Sequence, residues 1–225
     1  MLRTNIIKDL RISFAMSTEP SLSIHEFIYR SLRLKIMLGQ IEPGKTFSIR
    51  GLASDFCVSM TPIREATRRL VAEGALTMSN SGRIKVPVVN ADRFEELSSI
   101  RLLLEPELAV RAIPRVHYAL IERLLAMSKV IEDMIYQGNS LGYIKIKFEF
   151  HKTLYLRAHS PAMLSLLETV WLQTGPTMNV FFQKNLRRLA ASDHRNIILA
   201  LRSGDGPGLA ENIKRNIQTD LQMCQ

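Results

Sequence analysis

The sequence has few features of a secreted protein, a membrane protein or an enzyme. It contains only two cysteines, Cys57 and Cys224, too few for a disulfide framework and consistent with a reducing cytoplasm. No apolar run approaches a membrane span, and the first residues lack the continuous apolar stretch of a secretory signal. No phosphate-binding loop, nucleophile elbow or CxxC pair occurs. We therefore expect a cytoplasmic protein without a membrane partner.

The sequence is rich in apolar residues and in positive charge. Hydrophobic residues make up 46% of the 225 residues, enough for the cores of one large or two ordinary domains. The formal net charge is +9. Residues 1–87 hold 13 lysines and arginines against 7 acidic residues, whereas residues 88–225 hold 17 against 14. This concentration of positive charge in the N-terminal part favours an anionic partner there.

Residues 48–74 predict two short helices joined by a tight turn. The second helix begins near Ser59 or Thr61, either of which can cap it, and Pro62 suits its first turn. At 100° per residue one face of this helix is apolar. The opposite face carries Thr61, Arg64, Glu65 and Arg68, with Met60 at its edge. Such a face can contact guanine edges or phosphates in a major groove, although it is equally compatible with plain solvent exposure.

The flanking sequence completes a winged helix. Apolar residues at helical spacing precede Gly39 and predict a first helix. Alternating apolar residues on both sides of Asn80-Ser81-Gly82 predict a β-hairpin. The hairpin carries Arg83 and Lys85, so we favour contact with a nucleic-acid backbone over a purely stabilising role.

Residues 24–87 resemble the DNA-binding domain of the GntR family of bacterial transcription regulators. The resemblance lies in the helix ending at Gly39, the phrase IEPGKTF, the stretch LASDFCVSMTPIREATRRLVAEGAL and the hairpin around Gly82. It implies DNA contacts from the first helix of the pair, the start of the second helix and the wing tip. With two arginines added from the helix face and the wing, the predicted contacts are Arg50, Ser59, Met60, Thr61, Arg64, Arg68, Gly82 and Arg83.

Two residues depart from the family pattern. Met60 stands where relatives usually carry an arginine that contacts bases, and a methionine can touch a thymine methyl but cannot chelate guanine. Cys57 stands where a glycine usually makes the turn, so we expect backbone strain there.

The remainder of the chain predicts an all-helical bundle. Residues 88–225 contain six or seven helical segments, one of which we expect to end at Gly175-Pro176. The stretches SIRLLLEPELAVRA, FEFHKTLYLRAHSP and DHRNIILALRSGD resemble the FCD ligand-binding domain of the FadR branch, in its shorter VanR-like form. The fold is therefore predicted to be mainly α, with a loosely ordered extension (1–20), a winged helix-turn-helix domain (21–87) and a helical effector-binding and dimerisation domain (88–225).

The resemblance also implies a divalent metal site, but two of its four ligand positions hold different residues in this chain. The four family ligand positions hold Lys147, His151, His194 and Asn216. An ammonium has no lone pair to donate and an amide is a weak ligand beside an imidazole. We expect no metal and no other cofactor; if zinc or nickel were bound, His151 and His194 would hold it.

Lys147 could instead supply positive charge directly. It shares a helix face with His151 at i, i+4. Arg101 occupies a position that faces the ligand in relatives. We therefore predict an effector pocket for a small carboxylate, and the alternative is a polar helix interface around a vestigial pocket. The predicted pocket residues are Arg101, Lys147, His151, His194 and Asn216.

These observations predict a regulator of transcription. We expect a homodimer, most often a repressor by resemblance, that binds an inverted repeat in double-stranded DNA and responds to an organic acid. One alternative is a DNA-binding dimer without an effector. Another is a metal-assisted enzyme using His151 and His194, which would leave the winged helix unexplained.

Overall fold

The computed structural model describes residues 23–80, 82–189 and 192–223. The predicted extension (1–20), Ser81 at the hairpin tip and Cys224 lie outside these residues. The described chain divides into two compact units. The first contains the residues up to Ile36 together with Ile41–Val88, and the second contains Met37–Gln40 together with the chain from Val89 onward.

The first unit has the predicted three helices and hairpin, which confirms the winged helix-turn-helix. It also contains a strand that was not predicted, β1 (Thr46–Ser48), which pairs antiparallel with β3 (Arg83–Lys85). Strand β2 (Thr77–Met78) pairs with the other edge of β3, so the sheet order is β1-β3-β2. Phe47 of β1 and Met78 of β2 both pair with Ile84, which is fully buried. The elements are α1 (Ile24–Met37), β1 (Thr46–Ser48), α2 (Ile49–Phe56), α3 (Met60–Ala72), β2 (Thr77–Met78) and β3 (Arg83–Lys85).

The two helices of the predicted pair are fixed by a cap and a shared core. Ser48 caps α2, because its hydroxyl oxygen accepts a hydrogen bond of 2.9 Å from the backbone N–H of Gly51. On α3 the predicted apolar face is buried, with Ile63 and Leu70 fully enclosed. The opposite face of α3 is consequently turned outward, as the periodicity predicted.

The second unit is a bundle of six α-helices within the described residues. Asn90 caps the first of them by accepting from the N–H of Arg93 at 3.0 Å. None of the helices in the described part of the chain combines the length and the apolar character needed to span a bilayer. The helices are α4 (Ala91–Ala112), α5 (Tyr118–Gln137), α6 (Ser140–Tyr155), α7 (Pro161–Asn185), α8 (Ser192–Ser203) and α9 (Gly206–Met223).

The expected helix break at Gly175-Pro176 is wrong. Helix α7 runs without interruption from Pro161 to Asn185, with both of these residues buried inside it. Proline removes one backbone hydrogen bond, the one that would reach the carbonyl of Leu172, and the Thr174 hydroxyl donates to a different carbonyl, that of Val170, at 3.0 Å. Packing of α7 against α4 therefore outweighs the local cost of the proline.

The turn between α2 and α3 contains the strain that the sequence predicted. Cys57 has a φ of 55° and a ψ of 44°, which places a residue with a side chain in the left-handed region. Glycine adopts this conformation without the steric penalty of a Cβ atom.

We predict that Cys57→Gly stabilises the protein by about 1 kcal/mol, because the substitution relieves the left-handed strain. Urea unfolding measures the change. Cys57→Ala is the matched control, since it removes the thiol but keeps the Cβ atom and should give no gain. Equal stabilisation by both variants would show that the thiol, and not the backbone, is responsible.

Candidate nucleic-acid interface and buried charge cluster

The outward face of α3 presents the residues predicted to contact DNA. Met60, Thr61, Arg64 and Arg68 are all exposed, and Met60 is 41% exposed although it is apolar. Ser59 precedes the helix and its side chain makes no capping hydrogen bond, so its hydroxyl is available to a partner. The helix therefore offers polar groups and one apolar group at its N-terminal end.

The wing leaves space for close approach of another molecule. Gly82 has a φ of 74°, and a Cβ atom added there would meet nothing within 4 Å. Next to it, Arg83 is exposed at the start of β3. The wing tip thus combines an unobstructed backbone with a nearby guanidinium group.

The arginines of the first unit fall into two sets. One set makes ion pairs on the side of the domain formed by α1 and the end of α3. Arg69 pairs with Glu26 at 2.6 Å and its guanidinium lies 3.6 Å from the ring centroid of Tyr29. Arg33 pairs with Glu73 at 3.0 Å, and Glu73 also accepts a hydrogen bond from the Tyr29 hydroxyl. These arginines hold α1 against α3.

The second set has no acidic partner. Within the described ranges, no carboxylate lies at ion-pair distance from the exposed side chains of Arg50, Arg64, Arg68 and Arg83. Unpaired guanidinium groups are well suited to phosphates and to guanine edges. The first unit therefore carries at least these four guanidinium groups without a carboxylate partner among the described residues.

The second unit contains a different arrangement of charge, which we call the buried charge cluster. It consists of Arg101 and Glu105 on α4, Lys147 on α6 and Asp220 on α9, none more than 5% exposed. Lys147 Nζ donates to Asp220 Oδ1 at 2.5 Å, and Arg101 donates to Asp220 Oδ2 at 3.3 Å and to Glu105 Oε1 at 2.6 Å. Two cations and two carboxylates balance each other.

The carboxylates keep both cations charged. Burial alone would lower the pKa of Lys147, but the adjacent Asp220 raises it above its ordinary value. Burial likewise opposes the charge of Arg101, and Glu105 and Asp220 more than offset it, so its pKa is also raised. Lys147 and Arg101 therefore stay charged although they are buried.

Glu105 links the cluster to aromatic side chains. Its Oε1 accepts from Trp171 Nε1 at 3.1 Å, and its Oε2 accepts from the Tyr155 hydroxyl at 2.9 Å. Burial, reinforced by Glu105, raises the pKa of Tyr155 well above 10, so the hydroxyl remains a donor. Helix α7 is thereby joined to α4 and α6.

The same hydroxyl determines the tautomer of His151. Its single proton is donated to Glu105, so it must accept from His151 Nδ1, which lies 3.1 Å away. The Nε2 atom of His151 therefore carries a lone pair. Among the described residues this buried atom makes no hydrogen bond of normal geometry, and neither do His194 Nε2 and Asn216 Oδ1, although Asn216 is close enough to His151 to oppose the lowering of its pKa. The two imidazole rings lie 5.7 Å apart.

Both imidazoles are held neutral. Burial lowers the pKa of His151 well below its ordinary value, and the nearby Lys147 and Arg101 lower it further. Burial, followed by His151 and Lys147, has the same effect on the pKa of His194. Protonation of either ring would require a large rearrangement of this part of the bundle.

A small cavity of about 50 Å³ adjoins the cluster. Lys147, Arg101 and His151 line it, whereas Glu105 and Asp220 do not. Its other walls are mainly apolar. They include Ile144, Phe148, Trp171, Thr174, Gly175, Met178 and Phe182.

The structure brings three of the five predicted pocket residues to this cavity. His194 and Asn216 lie beside His151 but are not among the lining residues. The residues predicted from the sequence are the basic and polar groups, and neither carboxylate is among them. Glu105 could have been found as the i+4 partner of Arg101 on one helix face, and Asp220 as the residue one turn after Asn216.

These residues do not fit a divalent metal ion. The ammonium of Lys147 occupies the family's first ligand position, and the nearby carboxylate of Asp220 is already bound to two cations. Across the described residues, no group of three or more His, Cys, Asp or Glu side chains is placed to hold a metal.

The family models match both parts of the chain. Residues 24–86 match the model of bacterial regulatory proteins of the gntR family, and residues 96–219 match the FCD domain. The chain belongs to the GntR family of transcription regulators with an FCD domain. This confirms the family resemblance, and the protein is a DNA-binding transcription regulator.

Characterised relatives agree with this assignment. The chain is 25% identical over 198 residues to the HTH-type transcriptional regulator McbR of Escherichia coli K12, covering 84% of this chain and 89% of McbR. It is 28% identical over 159 residues to the gluconate operon transcriptional repressor of Bacillus subtilis, covering 69% of this chain and 62% of that repressor.

Solved structures share the fold. The structure of E. coli McbR/YncC superposes with a TM-score of 0.82 at 22% identity, covering 91% of this chain and all of that chain. A GntR regulator from Rhodococcus sp. RHA1 gives a TM-score of 0.74 at 20% identity, covering 90% of this chain and 98% of that chain.

In the FCD domain, we predict that Lys147→Met lowers the free energy of unfolding by about 3–5 kcal/mol, because it breaks a buried ion pair. Adding Asp220→Asn should restore much of the loss, since Arg101 and Glu105 then remain balanced. Urea unfolding measures both. Lys152→Met on the same helix, which breaks a partly exposed pair with Glu168, should cost roughly 1 kcal/mol or less. A double variant less stable than Lys147→Met would contradict this account.

We also predict that the FCD domain loses stability in mild acid. His151 and His194 have lowered pKa values in the folded state, so below about pH 6.5 protons bind the unfolded chain preferentially. Between pH 7.5 and 5.5 each histidine should cost about 1.4 kcal/mol. Unfolding curves at both pH values test this. His194→Leu should roughly halve the change, and an unaltered pH dependence in that variant would contradict this account.

Proposed function

We propose that the chain is a dimeric transcription regulator that binds an inverted-repeat operator and responds to a small organic acid held in its FCD domain. Repression is the expected outcome of operator binding, in line with the gluconate operon repressor among its relatives. The regulator acts in the cytoplasm, where its DNA and an organic-acid metabolite are both present.

The observation that carries the DNA half of the proposal is the set of four unpaired arginines. Arg64 and Arg68 project from the outward face of α3, Arg50 from the start of α2 and Arg83 from the wing. Guanidinium groups on a recognition helix can contact guanine edges in the major groove, and those on the flanking elements can contact phosphates. Met60 supplies an apolar contact suited to a thymine methyl group.

The observation that supports an effector is the cavity beside the buried charge cluster. Its walls are mainly apolar, and Lys147 and Arg101 are the cationic residues among those that line it. For regulation, the effector must bind one arrangement of the dimer more tightly than the other. A dimer with two-fold symmetry presents two recognition helices to the two halves of an inverted repeat.

Arg64→Ala should weaken binding to the DNA upstream of the regulator's own gene by roughly tenfold or more, because it removes a contact to base edges. Fluorescence anisotropy at fixed salt concentration measures the affinity, and sedimentation of the complex gives the number of chains. Arg69→Ala is the matched control on the same helix, since Arg69 is already paired with Glu26. It should reduce stability and leave affinity within about threefold.

Three results would contradict the proposal. Equal DNA affinity of wild type and Arg64→Ala would show that α3 is not the recognition helix. A complex with a single chain per operator would exclude the dimer. Failure of every tested organic acid to alter DNA affinity would leave an operator-binding protein without an effector.

A further inference from the structure

The cavity beside the buried charge cluster is polar at one end only. Phe148 and Trp171 meet edge to face with their ring centroids 5.0 Å apart, and Phe182, Met178 and Ile144 complete the apolar lining. Thr174 is the one neutral hydroxyl among the lining residues, and it already donates to Val170. A ligand in this cavity therefore meets hydrocarbon everywhere except near Lys147, Arg101 and His151.

The cations have hydrogen-bond donors to spare. Lys147 has three N–H groups, of which one donates to Asp220 and one to Tyr143 at 3.3 Å. Arg101 has five, of which one reaches Glu105, two reach Asp220 and one contacts the sulfur of Met178. Among the described residues, one N–H on each cation has no protein acceptor, and both residues line the cavity.

The arrangement of cations and carboxylates around the cavity favours a ligand with an anionic head group. Glu105 and Asp220 do not line the cavity, so from inside it the two carboxylates lie behind the cations that they balance. An anion in contact with Lys147 is closer to the ammonium than to the carboxylates, and Coulomb attraction exceeds repulsion. The carboxylates also fix the positions of the two donors before a ligand arrives.

We infer that the effector is a monocarboxylate with an apolar body, bound by Lys147 and Arg101 without a metal ion. This inference rests on the proposed function and narrows its organic acid to one chemical class. Polyhydroxylated acids are disfavoured, because each hydroxyl against Phe148, Trp171 or Phe182 would be buried without a partner. The ammonium of Lys147 provides the positive charge that a metal ion would otherwise bring to the head group.

The chain supplies its own reporter for a test. Trp171 is the only tryptophan in the sequence and lies in the cavity wall, so its fluorescence reports occupancy directly. Three six-carbon probes are titrated into the full-length protein in the presence of EDTA. Hexanoate has the acid head and an apolar body, gluconate has the same charge with five hydroxyls, and hexanamide is the neutral counterpart of hexanoate.

Hexanoate should bind roughly tenfold or more tightly than either gluconate or hexanamide, with no change on adding zinc. Stronger or equal binding of gluconate would contradict the inference that the ligand has an apolar body. Equal binding of hexanamide would contradict the inference that the ligand has a carboxylate head group. Binding that requires zinc would overturn the metal-free site. If the Trp171 fluorescence responds to none of the probes and not to octanoate, the proposed effector is contradicted. The proposed DNA binding is tested separately by Arg64→Ala and does not depend on this result.

A charge-balanced variant tests the role of the ammonium. Lys147→Met combined with Asp220→Asn removes one cation and one carboxylate together, so the fold is retained. It should weaken hexanoate binding at least about tenfold and abolish the preference over hexanamide. Lys145→Met, exposed on the same helix, is the matched control and should bind like the wild type. Unchanged hexanoate affinity in the folded double variant would overturn the assignment to Lys147.

Discussion

Asp220 is the residue on which the buried part of the helical unit depends. Its two carboxylate oxygens accept from Lys147 on α6 and from Arg101 on α4, so three helices meet at one side chain. Each of these charges would be costly to bury alone, and only the assembled bundle brings them together. The contacts that hold α4, α6 and α9 are therefore the same contacts that place two cations in the cavity wall.

Buried ion pairs of this kind add little net stability compared with an apolar core of equal volume. Here these ion pairs fix the positions of the Lys147 and Arg101 side chains. Each cation is held from behind by a carboxylate, and Glu105 is itself fixed by Tyr155 and Trp171. The spare N–H groups are consequently preorganised, so a ligand does not have to order flexible lysine and arginine side chains when it binds.

The sequence predicted the features whose causes are local and missed those whose causes are distant. The amphipathic face of α3, the hairpin around Gly82 and the strained turn at Cys57 depend on neighbouring residues, and all appear in the structure. Asp220 lies 73 residues from Lys147 and 119 from Arg101, so helical periodicity could place it on the face of Asn216 but could not pair it with either cation. The break expected at Gly175-Pro176 failed for the same reason, because packing of α7 overrides a local penalty.

Arg68 and Arg69 show why partners decide the role of a residue more than its type. They are adjacent on α3, and both are exposed. Arg69 forms an ion pair with Glu26 and its guanidinium lies over the ring of Tyr29, so its charge helps to hold α1 against α3. Arg68 has no such partner among the described residues and can bring its full charge to DNA. The positive potential of the first unit thus includes the arginines that have no carboxylate partner among the described residues, and the net charge of the chain alone would not locate them.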